Sequence, residues 1–277
     1  MSVYQTITYD YADRVATIAL DRPDHRNGYT LQMADELGDA FRRANGDENV
    51  RVVVFTGKGD DFCVGADLSG GSFDTGAGQD ASWKEPVGRC SLEIFNLDKP
   101  VIAAVRGNAI GGGSTIILPA DFRLASNDAR FGFVFSRRGI YPEGASTWFL
   151  PRLVGMGAAL DWMLSGRLID AQEALTAGLV TRLYPADELL DAAYELASEL
   201  VTKTAPVSIA VIRQMLYRLS ALESPLDVQR VDSRLIADIV DNPDAIEGVT
   251  SFMQRRAPRW TLTVDNDIPD WLPWRQP

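Results

Sequence analysis

Two glycine-bearing segments could bring backbone N–H groups to a ligand, or could be no more than tight turns and close helix packing. The first, Gly107-Asn-Ala-Ile-Gly-Gly-Gly113, follows one apolar run and precedes another, Ile116-Ile-Leu118. Bare backbone N–H groups converging at a helix start favour anions, including an oxyanion that develops during a reaction. The segment also comes close to the phosphate loop G-x-x-x-x-G-K-[ST], with Gly107, Gly112 and Ser114 in register. Gly113 stands where that loop needs its lysine, which argues against a nucleoside triphosphate site. The second segment, Asp61-Phe-Cys-Val-Gly-Ala-Asp-Leu68, again follows an apolar run. Gly65 and Ala66 are small enough to let a ligand approach the backbone, and Asp67 reads as a turn cap or loop brace.

Other chemistries lack their parts. His25 is the one histidine, set between Asp24 and Arg26 in a polar turn. It reads as solvated or ligand-flanking, because a general base needs an orienting partner within reach. No G-x-S-x-G nucleophile elbow is present. One histidine with two isolated cysteines, Cys63 and Cys90, suggests neither a zinc site nor a disulfide framework. No metal and no resident cofactor is expected.

The elements that must position these segments follow from hydrophobic patterning. Residues 3–9 and 14–20 predict a β-hairpin, and Leu31, Ala34, Leu37, Phe41 and Ala44 predict a helix over 31–44 with Thr30 as N-cap. Short strands are expected at 52–57, 100–107, 122–126 and 179–183. Beyond about residue 145 helices dominate: 170–177 stopped by Gly178, 187–201, 206–221, 225–240 and 243–254, with Pro225 and Pro243 at helix starts. Residues 69–84 are Gly-, Ser- and Asp-rich and read as a surface loop. The tail from Thr261 reads as irregular, with Trp271 and Trp274 covering a subunit or ligand surface. Strands alternating with helices make the fold class α/β.

The 277 residues suffice for one large domain, or for a large domain with a smaller appendage. A formal charge of −11 with no basic stripe excludes nucleic acid as the main partner and disfavours anionic membranes. An anionic ligand would have to be held locally, by backbone N–H groups and one or two arginines. No run reaches the ~18 apolar residues that span a bilayer. The N-terminal residues do not resemble a secretory signal, so a cytoplasmic setting is expected.

Taken in order, the motifs resemble the crotonase superfamily, which includes the enoyl-CoA hydratases and isomerases. The resemblance rests on Asp21-Arg-Pro-Asp-His-Arg-Asn27, Phe62-Cys-Val-Gly-Ala-Asp67, Lys99-Pro-Val-Ile-Ala-Ala-Val-Arg-Gly-Asn-Ala-Ile-Gly-Gly-Gly113, Ala120-Asp-Phe-Arg-Leu-Ala125, Phe131-Gly132 and Gly166-Arg through Gly178-Leu-Val180. It implies a ββα-superhelix (spiral) core over residues 1–200 and a C-terminal helical trimerisation region over 201–277. It also implies a homotrimer or dimer of trimers acting on an acyl-CoA thioester, with coenzyme A entering only as part of the substrate. The oxyanion hole would be the N–H groups of Ala66 and Gly112. Arg26 would meet a coenzyme A phosphate, with Val64, Ala66, Asp67 and Leu68 of one segment and Ile110 and Gly112 of the other lining the ligand. The stretch Phe252–Trp260, with Arg255, Arg256 and Arg259, resembles the family's C-terminal segment, which often crosses a subunit boundary.

The resemblance to hydratases breaks at both catalytic glutamates. Two residues past the triple glycine stands Thr115, and Phe131-Gly-Phe-Val-Phe135 puts Phe135 where the second carboxylate belongs. Neither can activate water. The Pro142-Glu143-Gly144 stretch instead resembles that of the Δ3,Δ2-enoyl-CoA isomerases, which makes Glu143 the expected catalytic carboxylate. Phe135, Tyr141 and Trp148 are expected to surround it and raise its pKa. The reading is therefore a 3-enoyl-CoA to 2-enoyl-CoA isomerase. The alternatives are a hydratase, another crotonase reaction such as racemisation or thioester hydrolysis, and an inactive acyl-CoA-binding protein.

Overall fold

A computed structural model describes residues 4–71 and 83–275. Most of the loop expected at 69–84 therefore lies outside the described residues. The strands are β1 (Ile7–Ala12), β2 (Val15–Leu20), β3 (Val52–Gly57), β4 (Val101–Val105), β5 (Asn108–Ile110), β6 (Phe122–Ser126), β7 (Arg130–Gly132), β8 (Leu168–Asp170) and β9 (Arg182–Tyr184). The helices are α1 (Leu31–Gly46), α2 (Gly88–Asn96), α3 (Gly112–Thr115), α4 (Ser146–Ser165, broken at Gly155), α5 (Ala171–Ala177), α6 (Leu189–Lys203), α7 (Pro206–Leu219), α8 (Pro225–Ala237), α9 (Pro243–Gln254) and α10 (Val264–Asp267).

A larger sheet runs β1-β2-β3-β4-β6-β9, parallel except for the β1–β2 hairpin, and a smaller one runs β5-β7-β8. The chain alternates between them: β4 in the large sheet, β5 in the small, β6 in the large, β7 in the small. This alternation winds the core into a spiral. The central strands read as unbroken apolar runs because both faces are covered. Val53, Phe55, Ala103 and Val105 point into the main core with α1 and α2. Val52, Val54, Ile102 and Ala104 meet Leu189, Ala193, Leu196 and Ala197 of α6 on the other face.

Several boundaries differ from the sequence reading. The last core strand is Arg182–Tyr184, not 179–183, because Leu179 and Val180 follow the left-handed Gly178 cap into the buried core. α7 and α8 end at Leu219 and Ala237, short of the expected 221 and 240, α6 runs two residues later than expected, and α9 covers its expected residues; α2, β5, β7 and β8 are additional elements. Trp271 and Trp274 pack on the chain's own third apolar cluster, with Val207, Val211 and Leu272. Arg213 ties that region to the core: it pairs with Asp121 at 2.9 Å and donates to the carbonyls of Ile94 and Leu97. Among the described residues no helix is long and apolar enough to cross a membrane.

Candidate active site

The segment after β3 runs beside β5. Cys63 N donates to Asn108 O at 2.9 Å, and Ile110 N donates to Cys63 O at 2.9 Å. On its other side Tyr29 N donates to Gly65 O at 2.7 Å, and Asp67 N to Tyr29 O at 2.9 Å. Gly65 has φ +91°, and a side chain there would meet Ile110 O at 2.9 Å, so glycine is what lets the two segments touch. β5 then leads through Gly111 into α3, whose first residue is Gly112. The leading N–H groups of a helix have no partner within it. Among the described residues, neither Ala66 nor Gly112 donates its N–H to another protein group. Both residues line one cavity of about 180 Å³.

Glu143 lines the same cavity, from the loop between a 3-10 turn (Ser136–Arg138) and α4. A methyl group on Gly112 would lie 3.2 Å from Glu143 Oε1 and 3.0 Å from Val87 Cγ2. The carboxyl therefore stands directly over Gly112. Burial, reinforced by the negative charge of Glu85, pushes the Glu143 carboxyl up from its ordinary 4.5 to about 7. Nearby groups do not offset this. Burial pushes the Cys63 and Cys90 thiols up to about 12 and holds Tyr29 well above its usual range. Arg138 is exposed where it lines the cavity and makes no ion pair among the described residues.

The expected wall around Glu143 is only partly right. Phe135 is buried and lines the cavity, but Tyr141 is 89% exposed. Trp148 faces the other way, against Phe95, Phe149 and Arg152. Chain direction explains both: the loop turns outward at Tyr141, and α4 carries Trp148 to its far side. Tyr29, Pro86, Val87 and Ile140 complete the wall instead. Thr115 is fully buried behind the cavity, and its Oγ1 has no hydrogen-bond partner.

Val64, Ala66, Leu68, Ile110 and Gly112 are brought together on the cavity, whereas Arg26 and Asp67 are not part of its lining. Asp67 is engaged by Arg22 at 2.8 Å and by Ser69 N at 3.0 Å. Arg22 also donates to Gly28 O, so this pair braces the two stretches that meet at Tyr29 and Ala66. The Arg26 side chain is 61% exposed and pairs at 2.6 Å with Asp61, which in turn accepts from Asn108 N at 3.0 Å. Asn27 is fully buried and donates to Lys58 O and Asp61 O. His25 is exposed. Sequence reasoning missed Tyr29, Val87 and Arg138. Tyr29 alone had a usable signal, as an aromatic immediately before the N-cap Thr30.

The sequence profile described as enoyl-CoA hydratase/isomerase matches residues 10–263. The chain is 36% identical over 254 residues to the enoyl-CoA hydratase ACTT3 of Alternaria alternata, covering 91% of this chain and 85% of that one. It is 35% identical over 251 residues to a carnitinyl-CoA dehydratase of Escherichia coli O157:H7, covering 89% and 94%. The crystal structure of a probable enoyl-CoA hydratase/isomerase from Mycobacterium abscessus superposes with a TM-score of 0.86 at 33% identity, covering 92% and 98%. The chain belongs to the enoyl-CoA hydratase/isomerase family, and its spiral of two sheets with C-terminal helices is the crotonase fold.

Proposed function

We propose that this chain shifts the double bond of a 3-enoyl-CoA thioester to give the conjugated 2-enoyl-CoA. The observation that carries the reading is Glu143: a carboxyl with pKa about 7 in the cavity lined by Ala66 and Gly112. Its carboxylate takes a proton from C2. The C2–H bonding pair forms a C1=C2 bond and displaces the carbonyl π pair onto the thioester oxygen. As that pair returns to the carbonyl, the C1=C2 pair becomes C2=C3 and the C3=C4 pair takes up a proton at C4, which Glu143 supplies from its carboxylic acid form. Between the two transfers, negative charge sits on the thioester oxygen, where the Ala66 and Gly112 N–H groups would meet it. Donors fixed before the charge develops stabilise the transition state more than the ground state. A pKa near neutrality suits one group to both removing and returning the proton. Arg26, exposed beside the backbone of Val64, is the proposed contact for a coenzyme A phosphate.

Purified protein mixed with 3-enoyl-CoA should generate the absorbance of the conjugated thioester. Glu143→Gln should cut that rate by about 10²–10⁴-fold. No turnover, or turnover undiminished in the variant, would sink the assignment. Hydration is the second reading, favoured by relatives named hydratase and dehydratase. Rapid water addition to 2-enoyl-CoA, lost in Glu143→Gln, would establish it and show that a single carboxylate does the work of two.

A further inference from the structure

Glu85 lies outside the cavity, between the loop carrying Glu143 and the start of α2. One of its oxygens accepts from Gly144 N at 2.7 Å and the other from Gly88 N at 2.7 Å. Gly144 N belongs to the peptide that joins Glu143 to Gly144, and the carbonyl of that peptide accepts from Ser146 N at 3.0 Å. One turn into α2, Ser91 Oγ donates to Gly144 O at 3.2 Å. The loop is thus held through its backbone, while the Glu143 side chain stays free in the cavity. Both partners of Glu85 are N–H donors, and a carboxylate can accept with both oxygens where a glutamine offers one.

We propose that Glu85 is a positioning residue for proton transfer at Glu143: it fixes the Glu143–Gly144 peptide against α2 and sets its own carboxylate behind the Glu143 carboxyl. The proposal rests on Glu143 being the proton-transfer group. The charged and titratable groups facing Glu143 come from several elements: Glu85 leading into α2, Cys90 on α2, Cys63 after β3, Tyr29 before α1 and Arg138 across the cavity. The thiols and the phenol stay neutral at physiological pH. Glu85 is therefore the negative charge in this set. It disfavours ionisation of Glu143 and so makes it a stronger base.

The test is a titration of the Glu143 carboxyl by ¹³C NMR, its resonance identified by loss in Glu143→Gln, in the wild type and in Glu85→Gln and Glu85→Asp. In Glu85→Gln the Glu143 midpoint should fall by about one pH unit, and the acid limb of the kcat profile should move with it. Glu85→Asp keeps the charge but shortens the reach. Its Glu143 midpoint should stay near wild type while kcat falls about tenfold, a split that loosened structure alone would not produce. A Glu143 midpoint unchanged in folded Glu85→Gln overturns the proposal. If that variant does not fold, wild-type kcat in Glu85→Asp overturns it instead. The NMR titration needs no turnover, so a moving midpoint in a protein without isomerase activity supports Glu85's role and removes only the isomerase reading.

Discussion

At the scale of single residues, a buried carboxyl near neutrality has a cost that can be measured. The Glu143 pKa is raised in the folded protein, so the native state holds this proton more tightly than the unfolded chain does. Its contribution to stability is full below the unfolded value of about 4.3 and is lost as pH rises through 7. Glu143→Gln removes the titration. The variant should match wild type near pH 4 and become more stable than wild type by up to about 3 kcal/mol above pH 8, in paired urea denaturations. A stability difference that does not change with pH would mean that Glu143 titrates as it does in the unfolded chain. Gly112→Ala probes the opposite wall. Its methyl group has to displace Glu143 Oε1 and Val87 Cγ2 from 3.2 and 3.0 Å, so kcat should fall about 10²-fold with the fold intact. That Glu143, Ala66 and Gly112 deserve a common site was legible in the sequence because short local motifs mark them, and the structure puts all three on one cavity. Glu85 was not, because its partner Gly144 lies 59 residues away and is met through a backbone N–H.

At the scale of elements, legibility followed length and the chemistry of the buried face. β3 appears at its expected residues because its Val52–Phe55 run is covered on both sides, β6 because its short segment is buried along most of its length, and α1 begins where the Thr30 side chain accepts from Met33 N. α2 escaped notice because the face it buries is Gly88, Cys90, Ser91 and Ile94, too small and polar to make a hydrophobic stripe. β5, β7 and β8 have three residues each, too few for alternation to show. The elements around Ala66 are held by the half-buried Arg22–Asp67 pair, from which a further prediction follows. Arg22→Ala removes the partner of Gly28 O and leaves Asp67 with Ser69 alone, which loosens the Tyr29–Ala66 bridge. Stability should fall by about 1–2 kcal/mol in urea denaturation, and kcat by about tenfold, if Ala66 N is one of the two oxyanion donors as proposed. Unchanged kcat in a destabilised variant would show that Ala66 is held without this brace.

At the scale of the whole molecule, the resemblance read from ordered motifs carried the spiral core, but local patterning could not say which faces of the C-terminal helices pack inward. α9 turns Asp244, Gly248 and Ser251 toward the chain and leaves Ile246, Val249, Phe252 and Met253 on the outside. Val249 is 67% and Phe252 81% exposed, and α8 adds Leu226 and Ile236. Apolar side chains gathered on the outer face of a helix in a water-exposed chain mark a surface that another molecule covers. Most soluble oligomers are closed, symmetric assemblies of one chain. We propose that these helices assemble the chain into a homotrimer or a dimer of trimers. A net charge of −11 opposes bringing copies together, so the apolar face has to supply the attraction. Replacing Val249 and Phe252 together by aspartate should convert an assembly of at least three chains into a single chain by sedimentation, with helix content by circular dichroism unchanged. The raised salt that screens charge repulsion should strengthen the wild-type assembly rather than weaken it, because its contacts are apolar. Wild-type protein that sediments as one chain at micromolar concentration would leave this face for another partner.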